Sequence, residues 1–194
     1  MALLDVLRRE FRHQSGVLGR HPLLTGLSGD TLTLEGFHRI LVAFEAYFHH
    51  GEAAFDSAPP PPAPNAPVLS WLTDDFREHG LTSWANRVTF RHPPLDSLSK
   101  RVGYLFAKQG LTLDGPVISR RIEQQLGLKP QANQWFFAGY GHDTGRLWRE
   151  LGLWLGRNEG RLDAAEAVWG TQILFEKIIL FCDHVAEPER VLAH

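Results

Sequence analysis

The chain has one cysteine, Cys182, among its 194 residues. That excludes an intramolecular disulfide, so the core alone must hold the fold, and it points to a reducing compartment. Apolar residues nowhere run on for the roughly 20 positions that a membrane-spanning helix needs. Charge of one sign is also lacking. A net charge of -2 with 22% charged residues gives no whole-chain electrostatic ground for binding nucleic acid or an acidic membrane surface. The opening stretch, Met1-Ala-Leu-Leu-Asp-Val-Leu-Arg-Arg-Glu10, places an acid inside its short apolar run and offers no small-residue cleavage site, so it does not read as a signal peptide. The expectation is a cytoplasmic protein whose partners include neither nucleic acid nor membrane. Strand-like alternation is nearly absent, and no nucleophile elbow, phosphate-cradling loop or zinc spacing occurs.

What the sequence does hold is apolar residues, 43% of the chain, at helical spacing. Leu4, Leu7, Phe11 and Leu18 share one face of a first helix, with Arg8, Arg9 and Arg12 around its sides. After a turn at 26–30, Thr33 can cap a helix whose apolar face is Phe37, Ile40, Leu41, Phe44, Tyr47 and Phe48 and which ends near Ser57. Residues 58–67, Ala-Pro-Pro-Pro-Pro-Ala-Pro-Asn-Ala-Pro, exclude helix and central strand and predict an extended polyproline connection. It reads as a stiff surface spacer inside one domain, with a docking motif for a proline-binding partner as the alternative. Leu69, Leu72 and Phe76 predict a helix from Val68 to His79 with Gly80 as its stop. Residues 81–94 give no clear pattern. Leu147, Trp148, Leu151 and Trp154 mark a later helix, and Asp163-Ala-Ala-Glu166 has the form of a capping box opening the last one. The predicted architecture is all-α: a single domain, 1–194, built as a compact bundle of about seven helices.

One stretch breaks its own rule. From Asp96 or Ser97 to Gly127 the chain reads as a buried helix, with Val102, Leu105 and Phe106 in its first half and Val117, Ile118 and Ile122 in its second. Between the halves lie Gly110, Gly115 and Pro116, which disfavour helix by roughly 1 kcal/mol per glycine and 3 for an interior proline. Such a break has a kink, a close backbone approach or a flat ligand against the main chain as its physical reasons. Arg8 and Arg12, four apart on one side of the first helix, could then pair with the carboxylates of a planar macrocycle. A kinked structural helix beside a solvated basic face is the plainer alternative. Two other groupings invite chemistry. Glu45, His49 and Glu52 have the spacing of non-haem iron ligands, but Glu176, Asp183 and His184 do not supply a convincing matching face. His142-Asp143, in the glycine loop 139–145, reads as a helix start rather than a dyad.

The order of several segments resembles the haem oxygenase family, particularly the bacterial enzymes that make biliverdin for phytochromes. Leu7-Arg8 opens a segment similar to the family's Leu-Arg-x-x-Thr-x-x-x-His helix. Pro22-Leu23-Leu24 and Thr33-Leu34-Glu35-Gly36-Phe37 continue in register to Tyr47 and Glu52. Leu72-Thr-Asp-Asp-Phe-Arg-Glu-His-Gly80 resembles Leu-x-x-Asp-Leu-x-x-Leu-Gly, and Tyr104-Leu-Phe-Ala-Lys-Gln-Gly-Leu-Thr-Leu-Asp-Gly115 resembles the family's distal segment. Phe136-Phe-Ala-Gly-Tyr-Gly141 and Trp148 complete the series.

The resemblance implies haem held between a proximal first helix and a kinked distal helix, as both cofactor and substrate, opened to biliverdin with release of iron and carbon monoxide. It implies an oxidoreductase needing an electron donor, with a phytochrome-type partner downstream. By it, Arg8 and Arg12 fall on positions of propionate partners, and Gly110, Leu111 and Gly115 on the distal wall. Two positions depart from the pattern. Ser15 stands at the place of the proximal histidine, and His13, two residues earlier, lies about 200° around the helix. Asp114 stands where the distal segment has glycine, and a carboxylate there would crowd the haem face or carry a buried charge. Changes on both sides of one pocket imply a haem or tetrapyrrole site that has been reassigned, with no catalytic residue secured and the metal ligand unknown. An active enzyme with a substitute axial ligand, His13 foremost, and a non-catalytic interaction module on the same scaffold are the alternatives.

Overall fold

The structure is a computed structural model that describes residues 2–186. Among the described residues it contains helices and no strand, apart from one isolated bridge between Pro130 and Gln134. The elements are α1 (Leu3–Gly19), a four-residue α2 (Thr25–Ser28), α3 (Leu34–Phe55), α4 (Val68–His79), α5 (Leu98–Leu111), α6 (Gly115–Leu126), α7 (Thr144–Asn158) and α8 (Ala164–Ala186). The all-α expectation is met by these seven longer helices and one short one.

The centre is the crossing of α5 with α8, and glycine makes it possible. A Cβ on Gly103 would lie 1.8 Å from the Ala167 carbonyl oxygen, and one on Gly170 would lie 2.1 Å from that of Lys100. The backbones therefore meet directly, and Thr171 Oγ1 donates across the crossing to the Gly103 carbonyl at 3.1 Å. Helix α5 is buried without a break from Val102 to Gly110. Helix α8 buries Ile173, Leu174, Phe175, Ile178 and Phe181, with α1 and α3 packed along it as well. An apolar surface this wide belongs to a helix enclosed by others.

The local signals act as the sequence predicts at several ends. Thr33 Oγ1 accepts from Gly36 N–H at 3.0 Å and opens α3, which ends at Phe55, two residues short of Ser57. Ser97 Oγ accepts from Lys100 N–H at 3.1 Å and opens α5. Gly80 at φ 62° and Gly127 at φ 72° stop α4 and α6 in the left-handed conformation that only glycine adopts freely. Asp163 Oδ1 accepts from Glu166 N–H at 2.9 Å, as a capping box requires. Its return arm is exchanged, because Asp163 N–H donates to Ser99 Oγ and the Glu166 carboxylate takes Ser97 Oγ–H at 2.6 Å. The N-terminal ends of α5 and α8 are thereby stitched together. The proline segment carries no helix, and Pro61 and Ala66 are buried, so it lies on the core rather than spanning free solvent. Residues 81–94 are irregular save for one 3₁₀ turn, Ala85–Arg87.

The broken stretch is two helices. Helix α5 ends at Leu111, and α6 restarts at Gly115 with Pro116 in its first turn, where a missing N–H costs nothing. Residues 112–114 form the corner between them, and that corner faces α1.

Candidate functional site

Helix α1 presents one stripe to the corner. Arg8, Phe11, Arg12, Ser15, Leu18 and Gly19 recur at steps of three and four, which puts them on a single face. That stripe borders two cavities. The inner one, about 310 Å³, is walled by Leu24 and Leu27 of α2, Phe44 of α3, Val68 and Trp71 of α4, Leu111 of α5, Val117 and Ile118 of α6, and the Phe136–Phe137 pair. The outer cleft, about 670 Å³, is bordered by Asp5, Arg8, Arg12, Gly16, Leu113 and Trp148. Phe11, Ser15 and Asp114 border both, and this shared stretch of wall is the neck.

Ser15 and Asp114 therefore do face one space. Asp114 is exposed at its mouth rather than buried, so the carboxylate carries no large desolvation cost there. His13 is exposed, off the stripe, and borders neither cavity. The glycines have a different reason from the one a flat ligand would supply. A Cβ on Gly110 would sit 2.4 Å from the Phe11 ring, and one on Gly115 would sit 2.8 Å from the Phe137 carbonyl oxygen. Both close approaches are to the protein itself, and neither glycine borders the inner or the outer space. Leu111 does line the inner wall.

Most polar groups on the inner wall are already engaged. Thr112 Oγ1 donates to the Gln109 carbonyl at 2.7 Å, and Ser28 Oγ donates to the Thr25 carbonyl at 3.1 Å. Arg121 donates to the Ser28 carbonyl. Lys108 is fully buried and points its ammonium at Glu52 Oε2, 2.6 Å away, above the Phe55 ring. Tyr104 O–H donates to the other Glu52 oxygen at 3.0 Å. Burial lowers the Lys108 pKa and the carboxylate opposes that fall; burial also raises Tyr104 and Tyr47 well above the ordinary phenol range. Among the charged and hydroxyl side chains bordering the two cavities, those without a hydrogen bond or ion pair among the described residues are the Ser15 hydroxyl, the Asp5 and Asp114 carboxylates and the guanidinium groups of Arg8 and Arg12.

Two residues that position the walls gave no functional signal by spacing. Asp75, wholly buried on α4, accepts Trp135 N–H and Phe136 N–H at 2.9 Å each and so fixes the aromatic segment that closes the cavity. It is the acid of the Leu72-to-Gly80 segment, and burial pushes its pKa to about 6 against the pull of those two bonds. His21, also buried, accepts Leu23 N–H at Nδ1 and therefore donates from Nε2 to Asp183, 3.1 Å away. That ties the turn before α2 to α8 and holds Leu24 and Leu27 over the space.

The other groupings fall elsewhere. Glu45 accepts Ser83 Oγ–H at 2.8 Å, Glu52 is committed to Lys108 and Tyr104, and His49 is exposed. Among the described residues no group of three or more His, Cys, Asp or Glu is placed to hold a metal ion, and no helix is long and apolar enough to cross a membrane. His142 and Asp143 form a 3₁₀ turn leading into α7, where Asp143 pairs with Arg146 at 3.1 Å. Cys182 is buried, and that burial raises its pKa to about 12.

The donor set bears on the haem expectation. No histidine, cysteine, methionine or tyrosine borders either cavity among the described residues, and the one side chain at the expected axial position is a serine. Iron in haem proteins is held by those four residue types. The residues here do not fit an iron-ligated haem. No family model matches the sequence, no curated protein matches it, and no solved structure matches the fold.

Proposed function

We propose that the protein binds a tetrapyrrole-class ligand on a haem oxygenase-like plan and has given up ordinary haem degradation. The carrying observation is that one stripe of α1 and the α5–α6 corner border two cavities with a shared wall, the inner one mostly apolar and the outer one carrying Arg8 and Arg12 beside Asp5 and Asp114. Arg8 and Arg12, without ion-pair partners among the described residues, suit carboxylates at the solvent end. The inner wall of leucine, valine and aromatic side chains suits the carbon body of the ligand and excludes water from it. With no nitrogen or sulfur ligand at the neck, no step of oxygen activation is assigned to these residues, and none is called catalytic.

Titration of the purified protein with haemin tests this. The expected result is weak binding without the sharp Soret band of histidine ligation, and no biliverdin absorption after reductant and oxygen are added. A sharp histidine-type band followed by biliverdin would make the protein a working enzyme with a substitute ligand. Indifference to both haemin and biliverdin would leave a scaffold used for protein interaction instead.

A further inference from the structure

The neck holds the Asp114 carboxylate, which only accepts hydrogen bonds, and the Ser15 hydroxyl, which accepts or donates, with none of the usual haem-iron ligands beside them among the described residues. Ser15 comes from α1 and Asp114 from the corner between α5 and α6, and both border each of the two cavities. Phe11 completes the neck, with Leu111 on the inner wall and Leu113 on the outer one. Among the described residues no side chain satisfies either group. Asp114 caps α6 without a side-chain bond, and it forms no ion pair with Arg8 or Arg12 although all three border the outer cleft. When a ligand covers the neck, an acceptor that loses its water and gains no donor is costly. A ligand that covers Asp114 must therefore bring a donor to it.

Iron porphyrin cannot do so, because the metal occupies all four ring nitrogens. A metal-free tetrapyrrole can, since its pyrrole nitrogens carry hydrogens. Resting on the tetrapyrrole reading above, we infer that the site selects a tetrapyrrole with no metal at its centre, its pyrrole N–H groups donating to the Asp114 carboxylate and the Ser15 hydroxyl. A bond to the carboxylate is charge-assisted and stronger than a neutral one. The same charge sets the orientation: Asp114 repels the ligand's own carboxylates from the neck, and Arg8 and Arg12 draw them into the outer cleft. Asp5, which also borders that cleft, stands one turn before Arg8 and Arg9 and leaves the cations the nearer groups to the neck. An open-chain tetrapyrrole can turn these N–H groups to the wall, whereas a planar free-base porphyrin keeps them pointed at its own centre, so the open chain is the better match.

The test is a set of absorption and tryptophan-quenching titrations with haemin, metal-free protoporphyrin and biliverdin. It uses wild type, Asp114→Gly and the pair Arg8→Ala/Arg12→Ala. Wild type should bind one of the metal-free ligands about tenfold more tightly than haemin, a margin of one charge-assisted bond. Asp114→Gly should remove most of that preference by weakening the metal-free ligand and sparing haemin, while the arginine pair should weaken every ligand. Whichever metal-free ligand loses affinity with Asp114 is the one the site takes. Because Asp114 is exposed and makes no side-chain bond, its loss leaves folding intact, which unchanged thermal unfolding will verify. Haemin binding as tightly as the metal-free ligands, or a preference unmoved by Asp114→Gly, overturns the inference while the tetrapyrrole site stands. Binding of none of the three overturns both.

Discussion

Glu52→Gln is the sharpest perturbation of the wall beneath the site. Lys108 is fully buried, its ammonium 2.6 Å from Glu52 Oε2 and 4.6 Å from the centre of the Phe55 ring. The amide keeps the size of the side chain but leaves the cation without a counter-charge. Breaking a buried pair from one side costs about 3–5 kcal/mol. The lysine can escape by shedding its proton, and from its ordinary 10.5 that costs about 5 kcal/mol at pH 7, so neither route is cheaper than the other. Glu52→Gln/Lys108→Met removes both charges and should return to within about 1–2 kcal/mol of wild type, since an apolar replacement of a buried pair is tolerated. Urea unfolding followed by far-UV circular dichroism gives all three values, and the coupling between the two changes should exceed about 2 kcal/mol. Raising the pH should shrink the Glu52→Gln deficit, because the folded chain binds the lysine proton less tightly than the unfolded chain does. A single-variant cost under about 1 kcal/mol, or a double variant as unstable as the sum of the singles, would refute this account of the pair.

Asp75 supplies a pH dependence of known sign. The folded chain holds its proton more tightly than a free carboxyl at 3.8 does, so its contribution is largest at low pH and is lost as pH rises through about 6. Between pH 5 and 7 the loss is on the order of 1 kcal/mol, read as the difference between wild type and Asp75→Asn so that His38, whose pKa burial lowers, cancels. Gly103→Ala should prevent stable folding, as its Cβ would strike the Ala167 carbonyl at 1.8 Å, whereas Gly156→Ala, with open space around it in α7, should stabilise by about 0.5–1 kcal/mol; thermal unfolding separates them. Gly110→Ala should displace the Phe11 ring from the neck and weaken ligand binding, and Phe11→Leu in the same chain should restore part of the stability.

Helix periodicity and punctuation were legible because each rests on a few adjacent residues. Thr33, Ser97, Gly80 and Gly127 act locally, and their structures follow from the residue types. The α1 stripe was legible for the same reason: Arg8, Arg12 and Ser15 share a face by arithmetic alone. What spacing did not disclose is where two distant segments meet. Gly110 and Gly115 announce a close approach but not its partner, and that partner is a phenylalanine ring in one case and a carbonyl in the other. Asp75 and His21 gave no signal by spacing, because the partners they fix lie 60 or more positions away in the chain. Asp114 was expected to crowd the pocket, yet the corner turns it outward to the mouth, a consequence of α6 restarting at Gly115.

The proposal that α1 and the α5–α6 corner enclose a tetrapyrrole slot whose axial position is Ser15 is tested most directly by giving the slot its missing ligand. Haemin should be titrated into Ser15→His/Asp114→Gly and into wild type, with the absorption spectrum recorded at each step. A histidine-ligated Soret band that appears in the double variant and is absent from wild type is the predicted result. Identical spectra from the two proteins, with both folded, would contradict it.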